Sequence, residues 1–180
     1  MDARRDPVLT ASRIALDVAA RARQYGGVGT VGRIDTHPGI ATAIAATGDA
    51  TIDLRHERLE TLERLAGDVL AAARGSAHED GTELDLAPLD TTEPVAFHPE
   101  LVRLTTAAAT ELAPGAPVLS SGALHDAAAA AAGIPTVMLF VRSIGGVSHT
   151  SVEDTSDEDL ALAVRALDGL TARTLEWLAA

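Results

Sequence analysis

The order of apolar patterns in the first half of the chain limits the folds that it can form. Residues 7–25 and 57–74 carry apolar side chains at three- and four-residue steps, which predicts helices that bury one face. Three shorter segments, 28–35, 40–54 and 82–87, are predicted to be strands. The order α-β-β-α-β is that of a ferredoxin-like unit, β-α-β-β-α-β, without its first strand. Because that strand lies inside the sheet, we expect the functional unit to begin upstream of the first residue.

In the second half of the chain, predicted helices alternate with predicted strands, which indicates part of an α/β domain. A connector of Asp, Thr, Glu and Pro at 90–94 separates the two halves. The segments predicted beyond it are helices 99–112, 126–132 and 157–178, a strand end at 119–123 and a buried strand at 136–141. Asp6 and Ser156 are predicted helix N-caps, and Trp177 is expected to pack the end of the last helix. The predicted fold class is therefore α/β (α+β) throughout.

Charge and composition exclude several classes of protein. The 180 residues include 26 acidic and 14 basic side chains, all of the latter Arg, for a net charge of −12. This balance lacks the positive charge that neutralises phosphates, so no nucleic acid is expected as a partner. No apolar run approaches the ~18 residues of a membrane span, and no secretory signal follows the first residues. We therefore expect a cytoplasmic protein, and the lack of Cys excludes disulfides and thiolate metal sites.

Two loops carry the side chains best suited to chemistry. Small residues precede His125 and Asp126 at the start of a predicted helix, and a Gly-Gly pair precedes His149. The second loop follows a predicted strand, where α/β sheets often hold ligands, and its Glu153 is expected to orient the His149 imidazole. From these residues alone a plain structural interpretation stays open, in which Asp126 caps the helix and both histidines are surface loop residues.

The residues of these loops do not by themselves indicate a Ser-His-Asp triad or a zinc site. A Ser-His-Asp triad can be written from Ser120 or Ser121 with His125 and Asp126. Adjacent His and Asp side chains do not normally form the required relay, and the chain has no G-x-S-x-G elbow. A single His also does not define a zinc site, which needs three or four protein ligands.

Five short motifs occur in one order and spacing along the chain. They lie at 30–32, 38–39, 52–55, 121–127 and 145–153. Together they resemble the C-terminal part of the hydantoinase/carbamoylase amidohydrolases of the M20 metallopeptidase-like group. That group includes N-carbamoyl-L-amino-acid hydrolases, allantoate amidohydrolases and β-ureidopropionases.

The resemblance implies a catalytic α/β domain with two metals and an inserted lid, or dimerisation, domain. Residues 5–92 would be most of a ferredoxin-like lid, and residues 93–180 the last part of the catalytic domain. A homodimer through the lid and a divalent metal (Zn, Mn, Co or Ni) are implied as well. The family's other metal ligands and its catalytic Glu would lie upstream, so this chain alone is expected to be inactive and to bind metal poorly. The alternative is a non-catalytic remnant or a dimerisation subunit.

The resemblance also assigns roles to single residues. His149 would be a metal ligand, Arg55 would bind the substrate carboxylate, and His125 would contact the substrate and polarise the scissile carbonyl. Thr42 and Leu124 stand at two further substrate positions, where the family has Asn and usually Gly. The implied reaction is hydrolysis of a linear C–N bond in a small N-carbamoyl or ureido acid.

Overall fold

The computed structural model describes residues 4–180 and divides into two compact units, residues up to 94 and residues 95–180. The first unit has the element order α1 (Pro7–Tyr25), β1 (Val28–His37), β2 (Thr47–Arg55) and α2 (Leu59–Asp80). The second contains three α-helices, α3 (Pro99–Leu112), α4 (Asp126–Ala131) and α5 (Asp157–Ala179), and a 3₁₀ turn at Ile144–Gly146. Among the described residues, no helix is both long and apolar enough to cross a membrane.

Helix α1 begins and ends where its sequence signals predict. The Asp6 carboxylate accepts a hydrogen bond of 3.0 Å from the Val8 backbone N–H, which satisfies a donor that the helix leaves unpaired. Pro7 occupies the first helical position, where its missing N–H costs nothing. Gly26 ends the helix with a φ of 68°, a left-handed conformation that suits glycine. The predicted helix 7–25 is thus confirmed at both ends.

Helices α1 and α2 share one apolar core with the antiparallel pair β1–β2. The fully buried side chains of Val18 and Leu65 lie at its centre, and Val31 and Ile52, which pair across the two strands, pack against them. Gly29 lies on the same face of β1 as Val31, because side chains alternate along a strand. This alternation leaves one face of the hairpin against the helices and turns the other face away from them.

Two predicted boundaries in the first unit are wrong by more than two residues. Strand β2 begins at Thr47 rather than near residue 40, since residues 38–46 form the connection from β1. Helix α2 continues past Gly75 to Asp80, because Ser76 and Ala77 are buried on the packed face. Burial of that last turn outweighs the cost of about 1 kcal/mol for a glycine inside a helix.

The predicted strand at 82–87 is also wrong, because this segment has no regular secondary structure. Leu84 is half-buried and packs against the core, yet its segment forms no ladder with β1 or β2. Apolar patterning alone does not make a strand, because a strand also needs a partner for its backbone groups. Among the described residues the sheet has two strands, so the ferredoxin-like form of this unit stays a prediction.

In the second unit, α3 and α5 pack together over a small core. Leu104, Ala108 and Leu170 are buried there, and Trp177 packs against them as predicted. The Ser156 hydroxyl accepts a 3.1 Å hydrogen bond from the Asp159 N–H, which confirms the predicted cap of α5. The three predicted helices of this unit are present with ends within one residue of the prediction.

The predicted strands at 119–123 and 136–141 do not form, because neither segment pairs in a ladder within the described residues. The second segment still runs past the helices: the Thr136 carbonyl accepts a 3.0 Å hydrogen bond from the His98 N–H, and Val137 contacts the core. Phe140 is half-exposed, so the prediction that this segment is buried is wrong as well.

Candidate functional site

Arg55 ends β2 on the face of the hairpin that points away from the helices. Its Nε donates a 2.6 Å hydrogen bond to Asp53 Oδ2, and both side chains are about half-exposed, at 49% and 51%. The two residues are neighbours on that face because they stand two apart on one strand. Arg33 and Asp35 on β1 make the same kind of ion pair at 2.8 Å, so the pairing alone does not mark a binding site.

Thr42 lies in the connection between β1 and β2, at the other end of the hairpin. It is exposed and lines an open pocket of about 550 Å³ together with residues 39–45, Arg4 and Asp6. A regular strand from Thr47 to Arg55 spans about 26 Å, and Thr42 lies beyond its far end. The structure therefore does not bring Thr42 and Arg55 together within this unit.

His125 lies in the loop before α4 and is held at both its backbone and its ring. Its carbonyl accepts a 2.9 Å hydrogen bond from the Ala128 N–H, which places His125, and not Asp126, at the N-cap position. Its Nε2 lies 2.7 Å from the Ser121 hydroxyl oxygen. The ring also meets Phe140 edge to face, with centroids 5.7 Å apart.

The contact between Ser121 and His125 is the part of this loop that sequence reasoning missed. Both residues lie in the motif at 121–127, where the sequence suggests their pairing only as part of a Ser-His-Asp triad. Ser121 lies four residues before His125, and nothing in that spacing shows that a non-helical loop folds back on itself. Leu124, between them, is 72% exposed and points into solvent within its unit.

The loop that carries His149 is shaped by left-handed backbone conformations. Gly145 and Gly146 have φ values of 68° and 69°, and His149 itself has a φ of 59°, a conformation rare for a residue with a side chain. The Glu153 carboxylate accepts a 2.7 Å hydrogen bond from the His149 backbone N–H, which supports that conformation. The imidazole Nδ1 lies instead 2.6 Å from the Ser148 hydroxyl.

These contacts correct one expectation about the loop that carries His149. Glu153 holds the backbone of His149 rather than its ring, so the predicted orientation of the imidazole by Glu153 is wrong. Among residues 4–180, no three His, Asp or Glu side chains are arranged to hold a metal ion. The side chains described do not by themselves fit a divalent metal, because such a site needs several such ligands.

Comparison with known proteins shows which family the chain belongs to. The sequence signature of peptidase family M20/M25/M40 matches residues 9–173. The chain is 33% identical over 169 residues to the allantoate amidohydrolase of Bacillus subtilis, covering 93% of this chain and 41% of that protein. It is 32% identical over 168 residues to the N-carbamoyl-L-amino acid amidohydrolase of Geobacillus stearothermophilus, with the same coverages.

A solved structure shows the same relationship in three dimensions. An amidase of the hydantoinase/carbamoylase family from Burkholderia multivorans matches with a TM-score of 0.88 and 31% identity, over 96% of this chain and 43% of that chain. The match runs through both units and defines an M20-type architecture. The chain belongs to peptidase family M20/M25/M40.

Membership confirms the resemblance predicted from the five motifs. The relatives named are amidohydrolases, and the chain spans about two fifths of their length. The matched region, 9–173, includes Thr42, Arg55, His125 and His149.

Proposed function

We propose that this chain is the substrate-binding part of a hydrolase that cleaves a linear C–N bond in N-carbamoyl amino acids, allantoate or related ureido acids. The observation that carries the proposal is the family match through residues 9–173, which runs across Arg55 and His125. The two relatives are named for such acids. Within this proposal, residues 5–92 are most of the lid and residues 93–180 are the last part of the catalytic domain.

The proposed role of Arg55 is to bind the carboxylate of the substrate. A guanidinium group offers two parallel N–H donors to a carboxylate, and this one lies on an open face of the hairpin, half-exposed. Asp53 already accepts a hydrogen bond from Arg55 Nε. A substrate acid therefore shares Arg55 with Asp53 or displaces it, which makes Asp53 a competitor at this site.

The proposed role of His125 is to donate a hydrogen bond to the carbonyl oxygen of the scissile bond. Negative charge grows on that oxygen during attack, so a fixed donor stabilises the transition state more than the ground state. The hydrogen bond from Ala128 and the contacts with Ser121 and Phe140 hold the imidazole in place, which is the preorganisation that such a donor requires.

A divalent metal of the whole enzyme is part of the proposal, with His149 as one ligand. The resemblance also leads us to expect that this chain by itself is inactive. Cytoplasmic location and a homodimer through the lid likewise stay predictions.

The proposal is tested by comparing an acid with its neutral analogue. An N-carbamoyl-L-amino acid, allantoate and the corresponding N-carbamoyl amino amide are titrated into ¹⁵N-labelled chain. We expect the two acids to shift the resonances of Asp53 and Arg55, and the amide to leave them unchanged, because only the acids carry a carboxylate. Equal binding of acid and amide would contradict the role of Arg55.

A second candidate, a non-catalytic remnant or dimerisation subunit, is favoured by two substitutions. Thr42 and Leu124 replace the Asn and Gly that the resemblance places at substrate positions. A chain that self-associates in sedimentation velocity but binds neither acid would support this candidate over the first.

A further inference from the structure

The Ser121 hydroxyl is surrounded by three polar groups in the loop before α4. Its oxygen lies 2.7 Å from His125 Nε2, 3.1 Å from the Ala123 backbone nitrogen and 3.2 Å from the Ala123 carbonyl oxygen. A hydroxyl has one proton to donate and two lone pairs to accept with. Which neighbour receives that proton decides which nitrogen of the His125 ring carries its own.

The distances differ between the two possible acceptors of the Ser121 hydroxyl proton. The Ala123 N–H can only donate, so it occupies one lone pair of the Ser121 oxygen. The Ala123 carbonyl lies at 3.2 Å, outside the range of about 2.5–3.0 Å typical of hydroxyl donors. The separation of 2.7 Å to His125 Nε2 lies within it. The shorter of the two contacts favours Nε2 over the Ala123 carbonyl as the acceptor of the single hydroxyl proton.

We propose that Ser121 is a positioning residue that fixes neutral His125 as the tautomer with its proton on Nδ1. In water, a neutral histidine favours the proton on Nε2, so the hydroxyl reverses the ordinary preference. The partner of one ring nitrogen sets the role of the other. Nδ1 thereby becomes the N–H donor of the ring, while Phe140 and the start of α4 fix the ring's place.

This inference rests on the proposed function and adds to it. A neutral imidazole with a lone pair at the substrate would repel a carbonyl oxygen that gains negative charge. Ser121 lets His125 act as a donor without having to be cationic. The acceptor that suits it is the carbonyl oxygen of an amide or ureido group.

The test is the ¹⁵N spectrum of the imidazoles in the intact chain. Long-range ¹H–¹⁵N correlations are recorded at about pH 8.5, where ordinary histidines are neutral. His125 is assigned from the signals lost in His125→Gln. We expect Nδ1 of His125 at the shift of a protonated nitrogen and Nε2 at that of an unprotonated one. The opposite pattern in the unmodified chain would overturn the proposal, whatever the variants do.

Two variants and a matched control sharpen the result. Ser121→Ala is expected to return His125 to the Nε2–H form, and Ser121→Thr to retain the Nδ1–H form because it keeps the hydroxyl. Ser148→Ala removes the other serine that contacts a histidine ring, at His149, and should leave the His125 pattern unchanged. An unchanged pattern in Ser121→Ala would show that the hydroxyl does not set the tautomer.

The spectrum separates this inference from the proposed function. It reports the tautomer whether or not the chain binds or hydrolyses any acid. If acids do not bind while His125 shows the Nδ1–H pattern, the proposed function fails and the assignment to Ser121 stands. If acids bind while His125 shows the Nε2–H pattern, the proposed function stands and the assignment to Ser121 fails.

Discussion

Replacing Gly29 with Ala tests the packing that holds the strand of Arg55. A Cβ at position 29 would lie 2.8 Å from the Ala22 Cβ and 3.0 Å from both Val18 Cγ1 and the Val18 carbonyl oxygen. Two of these atoms belong to a short side chain and to the backbone, so a rotamer change cannot relieve the clash. Overpacking of this kind costs about 1–3 kcal/mol, which lowers the Tm of a unit of this size by roughly 10 °C.

The matched control for this change is Gly32→Ala on the same strand. A Cβ at position 32 meets only the Thr51 hydroxyl, at 4.0 Å, and Gly32 does not have a positive φ. That variant should be neutral, or more stable by about 0.4–1 kcal/mol, because alanine restricts the unfolded chain. Thermal unfolding followed by far-UV circular dichroism measures both. Similar losses in the two variants would refute the close approach of α1 to Gly29, which pairs with Leu54 beside Arg55.

Two further predictions concern acidic groups of the same unit. The hydrogen bond from Arg4 is the main cause that lowers the pKa of the Asp6 carboxyl. The ionised carboxyl therefore stabilises the fold above about pH 3.9, and this contribution is lost as the pH falls through the lowered pKa. Asp6→Asn keeps the helix cap, so its urea midpoint should change less between about pH 5 and 2 than that of the unmodified chain. An equal pH dependence in the two proteins would contradict this. Asp53→Asn removes the competitor of Arg55 and should tighten acid binding about 1.5- to 5-fold in a calorimetric titration, the range of an exposed ion pair. Weaker binding would show that Asp53 orients Arg55 rather than competes for it.

The helices could be predicted from the sequence because their signals are local. The side chain of Asp6, the fixed φ of Pro7 and the left-handed freedom of Gly26 each act within one turn of the residues they affect. Ser156 acts in the same way at the start of α5. Gly75 failed as a stop signal because its effect is small beside the burial of the turn that follows it.

The strands and the site contacts depend on residues far apart or on loop geometry, which local patterns do not contain. The segments 82–87 and 136–141 have apolar residues suited to strands, but pairing partners decide whether strands form. Motif order predicts roles for His125 and His149. It could not show that Ser121 folds back onto one ring, or that Glu153 supports a backbone rather than an imidazole.

Binding of an N-carbamoyl-L-amino acid to Arg55→Met and to Arg33→Met tests the central claim most directly. Both arginines are exposed on the hairpin and pair with an Asp two residues away, so the variants differ chiefly in position. Loss of a hydrogen-bonded charge contact costs about 1.5 kcal/mol or more, so Arg55→Met should weaken binding at least about tenfold in a calorimetric titration, and Arg33→Met should not change it. Equal affinities in the two variants would contradict the assignment of Arg55 as the carboxylate-binding residue.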